Sequence, residues 1–107
     1  MKHLRSHYHA LHVLKDAVPK LRKAIVLNGD KRLVNSICEC VLNVLNGNVD
    51  LSSCVKRKLS KHKNVLRKVV DKRFPLSGKK KAIAQRGGFL LPLLSAVLPA
   101  LATLIFK

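Results

Sequence analysis

The chain is predicted to be all-α, a small bundle of about four helices with a hydrophobic, proline-containing C-terminal helix. Three observations predict it: apolar residues recur at helical spacing, no stretch alternates as a strand does, and Asn-Gly, Pro and Gly-Gly punctuate the chain at intervals of about one helix.

The elements follow in order. Leu4, Tyr8, Leu11 and Leu14, at spacings of four, three and three, lay one apolar stripe along a first helix over residues 3–16. Pro19 suits the first turn of a second helix carrying Leu21, Ala24, Ile25 and Leu27, which Asn28-Gly29 stops. Asp30 is a good N-cap for a third helix, apolar over more than half its circumference (Leu33, Val34, Ile37, Cys38, Val41, Leu42, Val44, Leu45) and therefore the most buried body element. Asn46-Gly47 ends it. Ser52 or Ser53 caps a fourth helix, with Val55, Leu59, Leu66, Val69 and Val70 on one side and lysines on the other, running to about Arg73. Phe74-Pro75 breaks that helix and Leu76-Ser77-Gly78 reads as a turn. The chain thus divides into a basic helical body over 1–78, a basic, glycine-containing linker over 79–88 and a hydrophobic segment over 89–107.

A chain of 107 residues has room for one small domain, and its 22 Lys and Arg against five acids give a formal net charge of +17. That charge repels itself in the compact state unless anions screen it, so an anionic partner is the first expectation. Cysteines number three, and Cys38 and Cys40, two apart in a helix, point to opposite faces. Reduced, buried thiols and an intracellular or nuclear setting are expected. The charges and histidines scattered through MKHLRSHYHALHVL do not make a secretory leader.

Between Lys56 and Lys81 stand twelve basic residues (Lys56, Arg57, Lys58, Lys61, Lys63, Arg67, Lys68, Lys72, Arg73, Lys79, Lys80, Lys81) and one acid, Asp71. Such a stripe replaces condensed counterions on phosphates, giving affinity that falls steeply with salt and depends little on sequence. The plainer alternative is a solvated helix face, but ordinary solvated faces mix signs. With one Tyr and three Phe in the chain, base stacking explains little, and contact with the backbone of double-stranded DNA or another polyanion is the expected mode.

Residues 89–106 are eighteen in a row without a charge, about 27 Å as a helix, just under the ~30 Å of a hydrocarbon core. On a helical wheel Leu90, Leu94, Val97, Leu98, Leu101, Leu104 and Ile105 gather on one side, with Pro92, Ser95, Pro99, Ala102 and Thr103 on the other. Phe89 and that greasy face suit an anionic membrane, a capsid protein or self-association; alternatively the face docks on the body and completes its core. Exposure or self-association is the expectation.

Four of five histidines (His3, His7, His9, His12) crowd the first helix without a carboxylate or cysteine converging on them there, so no metal site is expected. Their protonation near pH ~6 would add positive charge. No cofactor is implied. Catalysis has no basis either: no acid pair at helical spacing, no phosphate-cradling glycine loop, and Cys54 two turns from His62.

The run Gln85-Arg86-Gly87-Gly88-Phe89-Leu90-Leu91-Pro92-Leu93-Leu94, with Pro99 and an apolar finish, resembles the C-terminal half of the adenovirus core protein precursor that yields the mu peptide. Across nearly its full length, including ECVLNVLNGNV and KRKLSKHK, the chain is similar to the small protein of Maverick/Polinton elements and adintoviruses. The resemblance implies a minor virion component that binds packaged DNA through Lys56 to Lys81, engages membrane or capsid through Phe89 to Phe106, and resides in the virion and the host nucleus. It also implies a protease junction at Gly87-Gly88, although Gln85 stands where that family's cleavage pattern has Met, Ile or Leu. A lytic, membrane-active capsid-type protein and a helical adaptor are the rival readings.

Overall fold

Local signals place most helix ends where the sequence puts them. The computed structural model describes residues 7–105, the side chains of Leu101, Leu104 and Ile105 excepted. Among these residues there are seven α-helices and no strand: α1 Tyr8–Asp16, α2 Pro19–Asn28, α3 Lys31–Leu45, α4 Ser53–Ser60, α5 Lys63–Val69, α6 Leu76–Gln85 and α7 Leu90–Ile105, the last entered through a 3-10 turn, Gly87–Phe89. The expected start of the first helix at residue 3 lies outside the described residues. Pro19 opens α2, the Asp30 carboxylate accepts the Leu33 amide at 2.9 Å to cap α3, and the Ser52 hydroxyl accepts the Val55 amide at 3.2 Å to cap α4. Gly47, at φ 73°, takes the left-handed conformation that ends α3.

Two departures raise the helix count above the expected four plus tail. The helix expected from Ser53 to Arg73 is broken at Lys61-His62, where the His62 amide bonds back to the Leu59 carbonyl at 2.9 Å in a tight 3-10 geometry. The reason is a gap in the stripe: between Leu59 and Val65 five polar residues intervene, so a straight helix would aim His62 or Lys63 at the core. Breaking there lets Leu59, Val65, Leu66 and Val69 all be buried. The second departure is α6, which occupies the expected turn and linker. Lys79 to Gln85 are good helix formers behind an extended Pro75. Gly78 is not a turn residue but a clearance: a Cβ there would lie 2.8 Å from the Phe74 ring.

The core is built around α7. Leu90, Leu93, Leu94, Val97 and Leu98 recur at i, i+3, i+4, i+7 and i+8, and all are buried, with Phe89 sealed at the helix entrance. Helices α1, α3 and α4 pack on this face, while α6 packs on α2, α3 and α5. The radius of gyration, 12.6 Å, is close to the ~13 Å of a globular domain of this length. Pro92 sits in the first turn of α7, where its missing amide costs nothing. Pro99 is inside the helix but on its exposed side, with Ser95 and Thr103. Of the two destinations open to the greasy face, the structure takes the body. The expectation of exposure fails for Phe89, Leu90, Leu94, Val97 and Leu98, because the other helices are too short and one-sided to close a core without them.

Each of those side chains contributes about 1.5–3 kcal/mol by leaving water. Leu94→Ala should therefore cost about 2–5 kcal/mol in urea unfolding, whereas Ser95→Ala, exposed one residue along, should stay within about 0.5 kcal/mol. Equal, small effects of the two would show that α7 is not core.

Candidate nucleic-acid interface

The basic stretch becomes three short helices and their connections. Lys56, Arg57 and Lys58 lie on α4 and Lys61 caps it; Lys63, Arg67 and Lys68 lie on α5; Lys72 and Arg73 occupy the α5–α6 connection; Lys79, Lys80 and Lys81 lie on α6. Ten of the twelve are exposed and Lys79 and Lys80 are half-buried. Arg57 and Lys58 stand in the last turn of α4, and Arg67 and Lys68 in that of α5, where the helix dipole favours cations. The one acid of the stretch is spent locally: Asp71 Oδ1 accepts the Arg73 amide at 2.9 Å and faces its Nε at 3.4 Å. Those contacts, the amide first, hold the Asp71 carboxyl below its ordinary range. The carboxylate therefore keeps its charge through neutral pH and offsets one guanidinium of the twelve cations in the stretch.

Folding the stretch brings some cations together and separates others. Lys56, Lys63 and Arg67 rim an apolar recess of about 350 Å³ floored by Leu45, Leu51, Leu59 and Leu66. Lys68 and Lys81, from facing helices, line a second recess of about 390 Å³ together with Asn64, Phe74, Gln85 and Arg86. The last four were not among the residues the sequence nominated. For Asn64 and Gln85 a signal was present in the spacing, since Asn64 and Lys68, and likewise Lys81 and Gln85, are one helical turn apart. What the spacing lacked was the juxtaposition of α5 with α6.

The remaining nominated residues fall elsewhere. Gly87 and Gly88 lie in the 3-10 turn, and the next residue, Phe89, is fully buried. A Cβ on Gly88 would meet the His62 ring at 3.4 Å, and that ring lies 6.1 Å from the Phe89 ring. The Gly88-Phe89 bond is therefore held in a folded turn rather than an extended, protease-ready strand. The side chains of Leu101, Leu104 and Ile105 lie outside the described residues. Among the described residues no single helix is long and apolar enough to cross a membrane; α6 and the following apolar segment pass that test only as a pair bent by 72°. Nor do three or more His, Cys, Asp or Glu converge there as metal ligands would. His12 and His9 instead pack edgewise on the Tyr8 ring, at 4.7 and 5.7 Å.

Fold and surface together define a small, all-helical, strongly basic protein whose cations outnumber any internal partner. The chain matches no protein-family model, no curated protein and no solved structure.

The cysteines divide by burial: Cys38 and Cys40 are buried and Cys54 is exposed, against the expectation that all three are enclosed. Cys54 lies on the solvent side of the first turn of α4, outside the apolar stripe. Burial pushes the Cys40 thiol up to about 12 and raises that of Cys38, whose Sγ donates to the Val69 carbonyl at 3.4 Å. A thiol reagent should thus titrate Cys54 alone in the native protein and all three after denaturation. The unfolded Cys40 thiol ionises near its ordinary 9.0 while the folded one keeps its proton to about 12. Its contribution to stability is therefore complete below pH 9 and is lost as pH rises toward 12. In unfolding measurements the wild type should lose more stability across that window than Cys40→Ala.

Proposed function

We propose that the chain is a non-enzymatic nucleic-acid-binding component of a viral or transposon particle. It holds double-stranded DNA by the phosphate backbone without reading the sequence, and works in the virion and the host nucleus. The observation that carries this reading is the surface of α4, α5, α6 and their connections, where twelve cations accompany a single acid that is already engaged. Unneutralised cations on adjacent helices release counterions from phosphates, and that release supplies sequence-independent affinity. The resemblance to the adenovirus core precursor and to the Polinton small protein supports the same reading.

The apolar segment enters this proposal as the interior of the domain rather than as a second tool. A membrane-active protein would have to withdraw Leu90, Leu94 and Leu98 from the core before they met lipid, losing the burial that holds the helices together. A capsid contact or self-association through the same residues meets the same cost.

The test is duplex binding by the full chain as salt is raised. Six to ten phosphate contacts would lower affinity by about 10³–10⁵ between 50 and 200 mM salt, with duplexes of different sequence bound alike. Replacing Lys56, Lys63 and Arg67 with Gln should flatten the log–log salt slope by about 0.9 for each phosphate left without its cation. Affinity indifferent to both salt and the triple substitution would sink the proposal.

A further inference from the structure

The recess between α5 and α6 contains more than charge. Three cations, Lys68, Lys81 and Arg86, share it with two side-chain amides, Asn64 and Gln85, and with the half-buried ring of Phe74, and no acid is among its lining residues. Its volume, about 390 Å³, falls within the roughly 300–1,000 Å³ typical of small-molecule sites. We infer that this recess receives one unpaired nucleotide unit, at a strand end or in a single-stranded stretch, with the phosphate held by Lys68, Lys81 and Arg86, the base laid against Phe74, and its polar edge met by Asn64 or Gln85. The inference rests on the backbone-binding reading above and adds to it a place where a base, not only a phosphate, is contacted.

The ring is fixed for that task. Gly78 admits it against α6, since any Cβ there would stand 2.8 Å from Cε1 and Cζ. On the α5 side the Lys68 ammonium sits 4.8 Å from the ring centroid. A cation above an aromatic face at a wet site is held less strongly than one bonded to a phosphate oxygen. An arriving phosphate therefore draws Lys68 off the ring and opens that face to the base. The two amides offer both donors and acceptors, so they suit any base edge and impose little selectivity. A sugar phosphate satisfies the cations but leaves the ring unused, and this difference separates a nucleotide site from a plain anion site.

The experiment titrates the full chain at low salt with deoxyadenosine monophosphate and, separately, with deoxyribose 5-phosphate, following amide chemical shifts. The nucleotide should bind about tenfold more tightly, in line with stacking of one base on an aromatic side chain, and should shift residues of α5 and α6. Phe74→Leu should erase that advantage and leave the sugar phosphate unchanged. Lys81→Gln combined with Arg86→Gln, at exposed positions that do not disturb folding, should weaken both ligands. Equal affinity of the two ligands for the unaltered chain, or no binding of either, overturns the inference. A duplex titration on the same preparation tells the two readings apart: steep, salt-sensitive duplex binding with equal small-ligand affinities removes only the nucleotide site. Absence of duplex binding removes the backbone reading itself.

Discussion

Burial of the apolar face of α7 is the interaction on which the other features depend. A chain of net charge +17 gains little from its own electrostatics. The described ion pairs, Lys15 with Asp16 at 3.7 Å and Arg73 with Asp71 at 3.4 Å, join near neighbours at the surface, where such pairs contribute a median of about 0–1 kcal/mol. Cohesion must therefore come from apolar surface. In α7 that surface is concentrated on one face, against which α1, α3 and α4 all pack. With the interior supplied by a segment that carries no charge, none of the cations of α4, α5 and α6 has to enter the core, and most of them are exposed.

The same arrangement determines the shape of the basic surface. As one straight helix, the twenty-six residues from Lys56 to Lys81 would extend about 39 Å, longer than a full turn of duplex, with the cations in a line. The break at Lys61-His62 and the corner at Phe74-Pro75 fold that line into three short helices instead. Cations far apart in sequence become neighbours across grooves, as Lys68 and Lys81 do. The folded surface is shorter than the stripe but two-dimensional, and it acquires recesses that a single helix does not have. Because both corners exist to bury Leu59, Leu66, Val69 and Ile83, the geometry of the outer surface is a by-product of packing on the inside.

Much of this was legible in the sequence wherever the determinant is local. Asp30, Ser52, Pro19, Asn28-Gly29 and Asn46-Gly47 each act within one turn of the chain, and each marks a boundary in the structure. The greasy face of α7 was equally legible, since helical spacing alone defines it. Its destination was not: periodicity gives a face and says nothing of what covers it. The split of the fourth helix left a trace, the polar run from Ser60 to Asn64, but the regular stripe on either side of it masked the gap. Helix α6 was hidden because Ser77-Gly78 has the composition of a turn, and only contact with Phe74 explains the glycine. The α5–α6 recess depended on two helices meeting, and nothing within either one encodes that meeting.

The Gly87-Gly88-Phe89 junction shows how processing and folding would compete in this chain. A protease that follows the pattern of the resembling family needs several residues extended in its cleft, and here those residues form a 3-10 turn closed by a fully buried phenylalanine. Presenting the bond means pulling Phe89 from beneath His62 and unwinding the start of α7. Cutting it would detach the helix that supplies Leu90, Leu93, Leu94, Val97 and Leu98 to the core, so the basic helices left behind would lose their common support. A folded, uncut chain presents its cations as a surface with recesses. A cut one would keep the contacts of α6 with α2, α3 and α5 but lose the apolar face against which α1, α3 and α4 pack. Any means of keeping α7 in place therefore also selects which of these two arrangements of cations the chain presents.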